Sequence, residues 1–326
     1  MFESQTLVSV LSAILLDAVL GEPKRWHPLV GFGSFANRIE KQLNIFPDRK
    51  SQAFHAAVQT AVSWTDGLPR RSRGSVAWCM AVIPFVALIY LLPDNPWRWV
   101  VDSFILYWAI GRQSLRRHAW QIAEALLAND IPEARKRMGL IVSRDTYRMS
   151  EADMARGTVE SVLENGNDAV FGAIFWYLLA GAPGVVLYRL ANTLDAMWGY
   201  RNARFFYFGW AAARIDDALN WVPARMTALA YSLAGQFRSG IAAWRAGAPR
   251  WDSPNAGPVM ASGAGSLQLL LGGPACYEGE VHARPWIGGG REPGAADINR
   301  ALALLDRALG IWVLMLILVA GIRYVL

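Results

Sequence analysis

Acidic and amide side chains gather at three points around one apolar run of this chain, in a pattern that suits metal-assisted phosphoryl chemistry. In "ESVLENGNDA", Glu160, Glu164 and Asp168 recur at i, i+4 and i+8, so a helix would carry all three on one face. Asn192 and Asp195 fall three apart in "ANTLD", and Asp216 and Asp217 precede Asn220 in "RIDDALN". Like charges stacked in this way repel, and cations held among them remove the repulsion. Carboxylate and amide oxygens suit Mg2+, which keeps waters and bridges to substrate phosphates. Arg201, Arg204, Arg214 and Arg225 stand close by in sequence and could hold those phosphates through their planar forks. Any one of these acids alone could equally be a helix cap. Their grouping beside apolar segments favours function, because ionisable groups near a bilayer are costly.

The first two groups are separated by Ala169–Tyr188, twenty uncharged residues with "AGAPG" at Ala180–Gly184 in the middle. Gly and Pro there end or bend a helix. A turn at that point would give two antiparallel helices, with Asp168 twelve residues before Ala180 and Asp195 twelve after Pro183. The two carboxylates would then share one depth, about 18 Å from the turn at a rise of about 1.5 Å per residue.

A membrane setting follows from the whole chain: 326 residues, 54% hydrophobic, 15 Trp and a mean hydropathy of +0.21 exceed what a soluble domain of this size needs to bury. Crossing a bilayer core takes about 20 apolar residues. Gly74–Leu92, Ala169–Tyr188 and Ala308–Ile322 come closest, and Ser4–Leu16 and Trp99–Gly111 are weaker because Asp17 and Asp102 interrupt. The expected fold is all-α: a polytopic integral membrane protein forming a single membrane-embedded domain over 1–326. A soluble protein with very apolar core helices is the alternative. The N-terminal run carries Glu3 and no basic residue ahead of it, so it is expected to be retained rather than cleaved as a signal peptide. Cys79 and Cys276 form neither a disulfide framework nor a CxxC pair.

Two basic stretches, Pro23–Gly74 and Arg112–Asn167, each hold nine Lys or Arg and flank a hairpin-like pair of apolar runs joined at "LPDNP". Both are therefore expected on the cytoplasmic side. Residues 112–167 read as a water-facing helical insertion, with apolar Leu115, Ile122, Ala123, Leu126 and Leu127, a break at Asp130–Pro132 and a second helix. Residues 238–307, crowded with Gly and Pro, read as an irregular loop without helical period, and Trp251, Tyr277 and Trp286 suggest that it is ordered and caps a site. Residues 308–326 complete the chain as a transmembrane helix. No GxxxxGK[ST], HExxH or GxSxG occurs, which removes P-loop, zinc-protease and common hydrolase readings. "GFGSFA" lacks a preceding strand, and His27 in "WHP" is more naturally a turn residue than a base.

The stretches "LLDAVLGEPKRWHPLVGFG", "SRDTYRMSEADMARGTVESVLENGNDA", "NTLDAMWGYRNARFFYFGWAAARIDDALNWVPARMTAL", "SPNAG" and "GGP…RPWIGGGREP" closely resemble the adenosylcobinamide-phosphate synthase family of cobalamin biosynthesis, known as CbiB or CobD. The resemblance runs in order from Leu15 to about Pro293. It departs at Gly166 and Asn167, where many members carry a bulkier residue and Ser, and at Pro258, where "SPNAG" is not followed by Trp-Pro-Glu. It implies a multi-pass protein of the bacterial inner membrane, with its active site on the cytoplasmic side, that joins a propionate of adenosylcobyric acid to the amine of aminopropanol or its O-phosphate. A carboxylate is a poor electrophile, so amide formation calls for ATP, with Mg2+ and Arg neutralising the transferred phosphoryl oxygens.

Within the matching stretches, Asp168, Asp195 and Asp217 are assigned catalytic roles, with Glu164, Asp168, Asp195 and Asp216 as metal ligands. Arg144, Asn192, Arg204, Arg214 and Arg225 are assigned to the phosphates of ATP. His27, Ser253, Asn255, Arg284 and Arg291 are assigned to the corrinoid or amino alcohol substrates. Partners would be the lipid bilayer and other membrane enzymes of the pathway, with no nucleic acid. A membrane sensor of the AmpE type and a transporter built on a broken helix are the rivals; a transporter would place its charge nearer mid-membrane.

Overall fold

The computed structural model describes residues 2–22, 27–44, 64–142, 144–277 and 279–325. Residues 23–26 of the "EPKRWHP" stretch and Lys50 in the first basic segment lie outside them. Of the described residues 76% are helical and the strands are few and short, which makes the fold all-α. Among the described residues three helices are long and apolar enough to cross a membrane, within Pro69–Tyr90, Glu151–Trp198 and Ala295–Ile322, and Gln5–Leu20 is a shorter apolar helix.

The chain folds as two compact units interleaved in sequence, one from 1–22, 110–172 and 220–326, the other from 23–109 and 173–219.

The second unit contains α1 in neither part of its make-up; it begins with the helix Pro28–Leu43, here α2, after α1 (Phe2–Leu20) of the first unit. It continues with α3 (Trp64–Tyr90) and α4 (Arg98–Ala109), joined across "LPDNP" as the turn residues require. Asp102, the acid that interrupts the α4 run, accepts from Arg98 Nε at 2.8 Å one turn earlier, so it does not stand uncompensated. Phe32, Ile39, Trp78, Leu194, Trp198 and Phe208 meet in one apolar core. Gly74 makes that approach possible: a Cβ there would strike the backbone carbonyl of Phe208. The long helix α8 (Gly172–Trp198) is broken where the sequence places its Gly-Pro pair, since Ala180 and Gly181 leave the helical region and Gly181 takes φ +61°, a conformation that favours glycine.

In the first unit, α5 (Arg112–Leu127) and α6 (Ile131–Met138) form the two-helix insertion with its break at the expected place, where Asp130 caps α6 by accepting from Glu133 N at 3.1 Å. Leu115, Ile122, Ala123 and Leu126 are buried as the period requires, whereas Leu127 is 65% exposed because it sits past the apolar stripe at the helix end. Buried Asp17 of α1 accepts from Gln113 N at 3.1 Å, which sets a carboxylate against the positive end of α5. α7 (Glu151–Gly166) starts at a capping box between Ser150 and Asp153. A π-helical turn, Asn167–Phe171, follows it. α9 (Trp210–Ala234) leads from one unit into the other's sequence.

Residues 238–307 are not irregular. They hold most of α10 (Phe237–Gly247), then α11 (Ala256–Leu267), four three-residue strands and the start of α12 (Ala295–Val325). Strands β1 (Leu270–Gly272) and β4 (Trp286–Gly288) pair antiparallel, as do β2 (Ala275–Tyr277) and β3 (Glu280–His282). Every residue of α11, "AGPVMASGAGSL", is buried. Its small residues serve close packing rather than a loop: a Cβ on Gly265 would meet Ala243 Cβ and Ser239 O, both at 2.5 Å, on α10.

Candidate active site

In the second unit, α8 and α9 bring together the acids of "ANTLD" and "RIDDALN". Asp195 lies close enough to Asp216 and Asp217 to feel the repulsion of both. Asn192 Nδ2 donates to Asp216 Oδ1 at 3.3 Å, and Arg189 Nη1 donates to Asn192 Oδ1 at 3.3 Å. Arg214 pairs loosely with Asp217 at 3.4 Å. Burial holds the Asp217 carboxyl above its ordinary value, against the opposing pull of Arg214 and Arg201. These oxygen donors fit a hard cation shared with phosphates, which needs few protein ligands. Among the described residues no group of three or more His, Cys, Asp or Glu side chains is arranged to hold a metal ion by itself. Of the four assigned ligands, Asp195 and Asp216 belong to this unit and Glu164 and Asp168 to the other.

The first unit is organised around Glu160, only 1% exposed. Arg144 pairs with Glu160 Oε2, Arg284 reaches its two oxygens at 3.2 and 3.3 Å, and Gly272 N donates to Oε1 at 2.8 Å. Arg284 also donates to Gly273 O at 3.0 Å and lies 5.2 Å over the Trp251 ring. One buried carboxylate thus ties the loop before α7 to the β1–β2 and β3–β4 connections. Asp145 Oδ2 accepts from Gly279 N at 2.6 Å and strengthens the same junction. Arg144, Arg148 and Arg156 line a cavity of about 230 Å³ beside it.

At the π-helical turn, Asn167 donates to Asp168 Oδ1 and to Asn220 Oδ1 and accepts from Thr227 Oγ1, all at 2.9 Å. Asn167, Asn220 and Thr227 are buried. The α-helical period that would stack Asp168 over Glu160 and Glu164 ends at Gly166, so Glu160 is buried in its ion pairs while Glu164 and Asp168 stay partly exposed. Gly166 itself packs against Tyr231 and Leu305 with no room for a Cβ.

The remaining assigned residues make contacts within their own units. His27 Nδ1 accepts from Leu29 N at 3.2 Å and caps α2. Arg204 pairs with buried Glu40 at 2.7 Å. Ser253 Oγ accepts from Ala256 N at 3.1 Å, closing the turn into α11, and Asn255 Oδ1 accepts from Arg225 Nη1 at 2.9 Å. Arg291 pairs with buried Asp297 at 2.7 Å. Sequence reasoning missed Asn167, Thr227 and Arg189 as members of these networks. Glu160 was visible only as one acid of three, because its partners lie 16 and 124 residues away.

The family model for "CobD/Cbib protein" matches residues 10–305. The "Cobalamin biosynthesis protein CobD" of Stutzerimonas stutzeri is 54% identical over 311 residues, covering 95% of this chain and 96% of the relative. The protein of the same name from Chromobacterium violaceum is 50% identical over 92% of each chain. That of Mycobacterium tuberculosis is 37% identical over 91% of this chain and 90% of its own. No solved structure matches. With the same buried acids and loops falling inside a match that spans most of the sequence, the chain belongs to the CobD/CbiB family of cobalamin biosynthesis proteins.

Proposed function

We propose that this protein is the ATP-dependent ligase that joins aminopropanol, or its O-phosphate, to a propionate carboxylate of adenosylcobyric acid, and that it works at the cytoplasmic face of the inner membrane. The observation that carries the reading is the gathering of Asp195, Asp216 and Asp217 with Asn192, because repelling carboxylates held together call for a cation. Relatives named for cobalamin biosynthesis favour a ligase over a sensor or a transporter.

In this reading the propionate oxygen takes the terminal phosphoryl group of ATP as ADP leaves. The amine nitrogen then displaces phosphate from the activated carbon, and Asp217 accepts the proton that the amine loses. Bound Mg2+ would neutralise the phosphoryl oxygens, held through Asp195 and Asp216 of the second unit. Arg214, 60% exposed and loosely paired with Asp217, is well able to turn toward phosphate, whereas Arg225 would first have to leave Asn255. Arg204 and Arg144 would serve by holding their loops in place. The cavity where Arg148 stands beside Arg144, Arg156, Asp145 and Asp153 would take an anionic group of a substrate through Arg148.

The "SPNAG" loop and the residues from Arg284 to Arg291 would contact the corrinoid. Asn255→Ala should then raise KM for the corrinoid by about tenfold, the worth of one hydrogen bond to a charged group, and change KM for ATP less. Steady-state kinetics with each substrate varied in turn checks this, and equal rises in both would return the loop to a structural role. For topology, cysteine introduced at exposed Lys136 should stay unreactive toward an impermeant thiol reagent in intact cells and react in inverted vesicles. Labelling from the periplasmic side would reverse the orientation.

A further inference from the structure

A groove in the second unit touches the acid network only where Arg189 reaches Asn192, and its apolar walls take no part in the chemistry above. It encloses about 410 Å³ among α2, α3, α4 and α8, and is walled by Phe32, Ile89, Trp108 and Val185 with apolar neighbours. Among the described residues Arg189 is the one charged residue on its lining. Among the described residues the Arg189 Nε is buried without a hydrogen-bond partner, and its Nη1 donates to the neutral Asn192 amide oxygen at 3.3 Å. A donor left in this state costs free energy until an acceptor arrives. Gly31 also lines the groove, and a Cβ built on it meets nothing within 4 Å, so the space is open down to the α2 backbone. Leu88 and Trp108 on its rim are 61% and 41% exposed, and Leu88 belongs to a helix apolar enough to cross the membrane.

An apolar groove that opens beside a membrane-crossing helix meets acyl chains before any other ligand. A guanidinium on its wall selects a chain that carries a phosphate. The amide-rich rim of a corrinoid would find almost no hydrogen-bond partners on this lining and is disfavoured there. We propose that the groove binds one anionic phospholipid of the surrounding bilayer, with an acyl chain along Phe32, Ile89 and Val185 and the phosphodiester on Arg189.

The test is native mass spectrometry of the full-length protein released from a neutral detergent, with phosphatidylglycerol and phosphatidylcholine of identical chains at equal concentration and oleate in a third arm. The wild type should favour the phosphatidylglycerol adduct by about fivefold, the worth of one cation beside an anionic headgroup. Arg189→Gln should abolish that preference while a lipid still binds, and Gly31→Trp should reduce both adducts by filling the groove. Equal binding of the two lipids by the wild type would overturn the proposal, as would an unchanged preference in Arg189→Gln. Displacement of phosphatidylglycerol by an equal concentration of oleate would overturn it in favour of a free fatty acid. If Gly31→Trp does not fold, the headgroup preference of Arg189→Gln decides alone.

Discussion

Asp195→Asn should leave the protein folded and lower turnover by about 10²- to 10³-fold, the usual loss when one group that stabilises transition-state charge is removed. The substitution keeps the shape of the side chain and removes a carboxylate that stands beside Asp216 and Asp217, so the fold should be as stable as before or slightly more so. Raising Mg2+ should recover part of the lost rate if Asp195 holds the metal, because a weakened site fills again by mass action. Turnover measured across a Mg2+ series, with thermal unfolding in detergent as the folding control, separates the possibilities. A folded, inactive and Mg2+-insensitive variant would make Asp195 a base or a substrate-positioning group, and a fully active one would remove the acid cluster from the mechanism.

Glu160→Gln should have the largest effect on stability, about 3–5 kcal/mol, because it strips the shared carboxylate from two arginines that remain buried around it. Arg144 and Arg284 side chains are only 12% and 15% exposed, so water does little to replace the lost partner. Adding Arg284→Met to Glu160→Gln should restore part of the loss, since one fewer unpaired cation remains. Denaturation of the single and double variants in the same detergent checks both statements. A Glu160→Gln protein as stable as the wild type would show that the clamp is not what joins these loops.

Much of this architecture could be read from local pattern. Apolar runs marked α3, α4 and α12, the turn residues of "LPDNP" marked the α3–α4 connection, and Asp130 with Pro132 marked the break between α5 and α6. Each of these signals lies within a few residues of the structure it causes. The α10–α11 pair was hidden because the cue was inverted: the glycines of "ASGAGS" allow two backbones to approach, while the same residues in isolation read as loop. Asp17 looked like an interruption of a span, yet it caps a helix that begins 95 residues later in sequence, at Arg112.

The site shows the same division. The i, i+3 and i, i+4 spacings placed Asn192 with Asp195 and Asp216 with Asn220; Asn192 reaches Asp216 within the second unit, whereas Asn220 accepts from Asn167 in the first. The arginines were harder, because type and position do not reveal which partner a guanidinium takes. Arg144, Arg204, Arg284 and Arg291 were all read as ligand-binding, and all four are paired with buried carboxylates of the chain itself. A buried carboxylate demands such a partner wherever the fold can supply one, and that demand depends on contacts between distant segments.

The ligase reading is tested most directly by incubating the purified full-length protein in detergent with adenosylcobyric acid, aminopropanol or its O-phosphate, ATP and Mg2+, while counting products. The account predicts one ADP and one phosphate for each amide bond formed, with no amide when either ATP or Mg2+ is withheld. Amide formation that proceeds without ATP, or ATP hydrolysis that yields no amide with either amine, would contradict it.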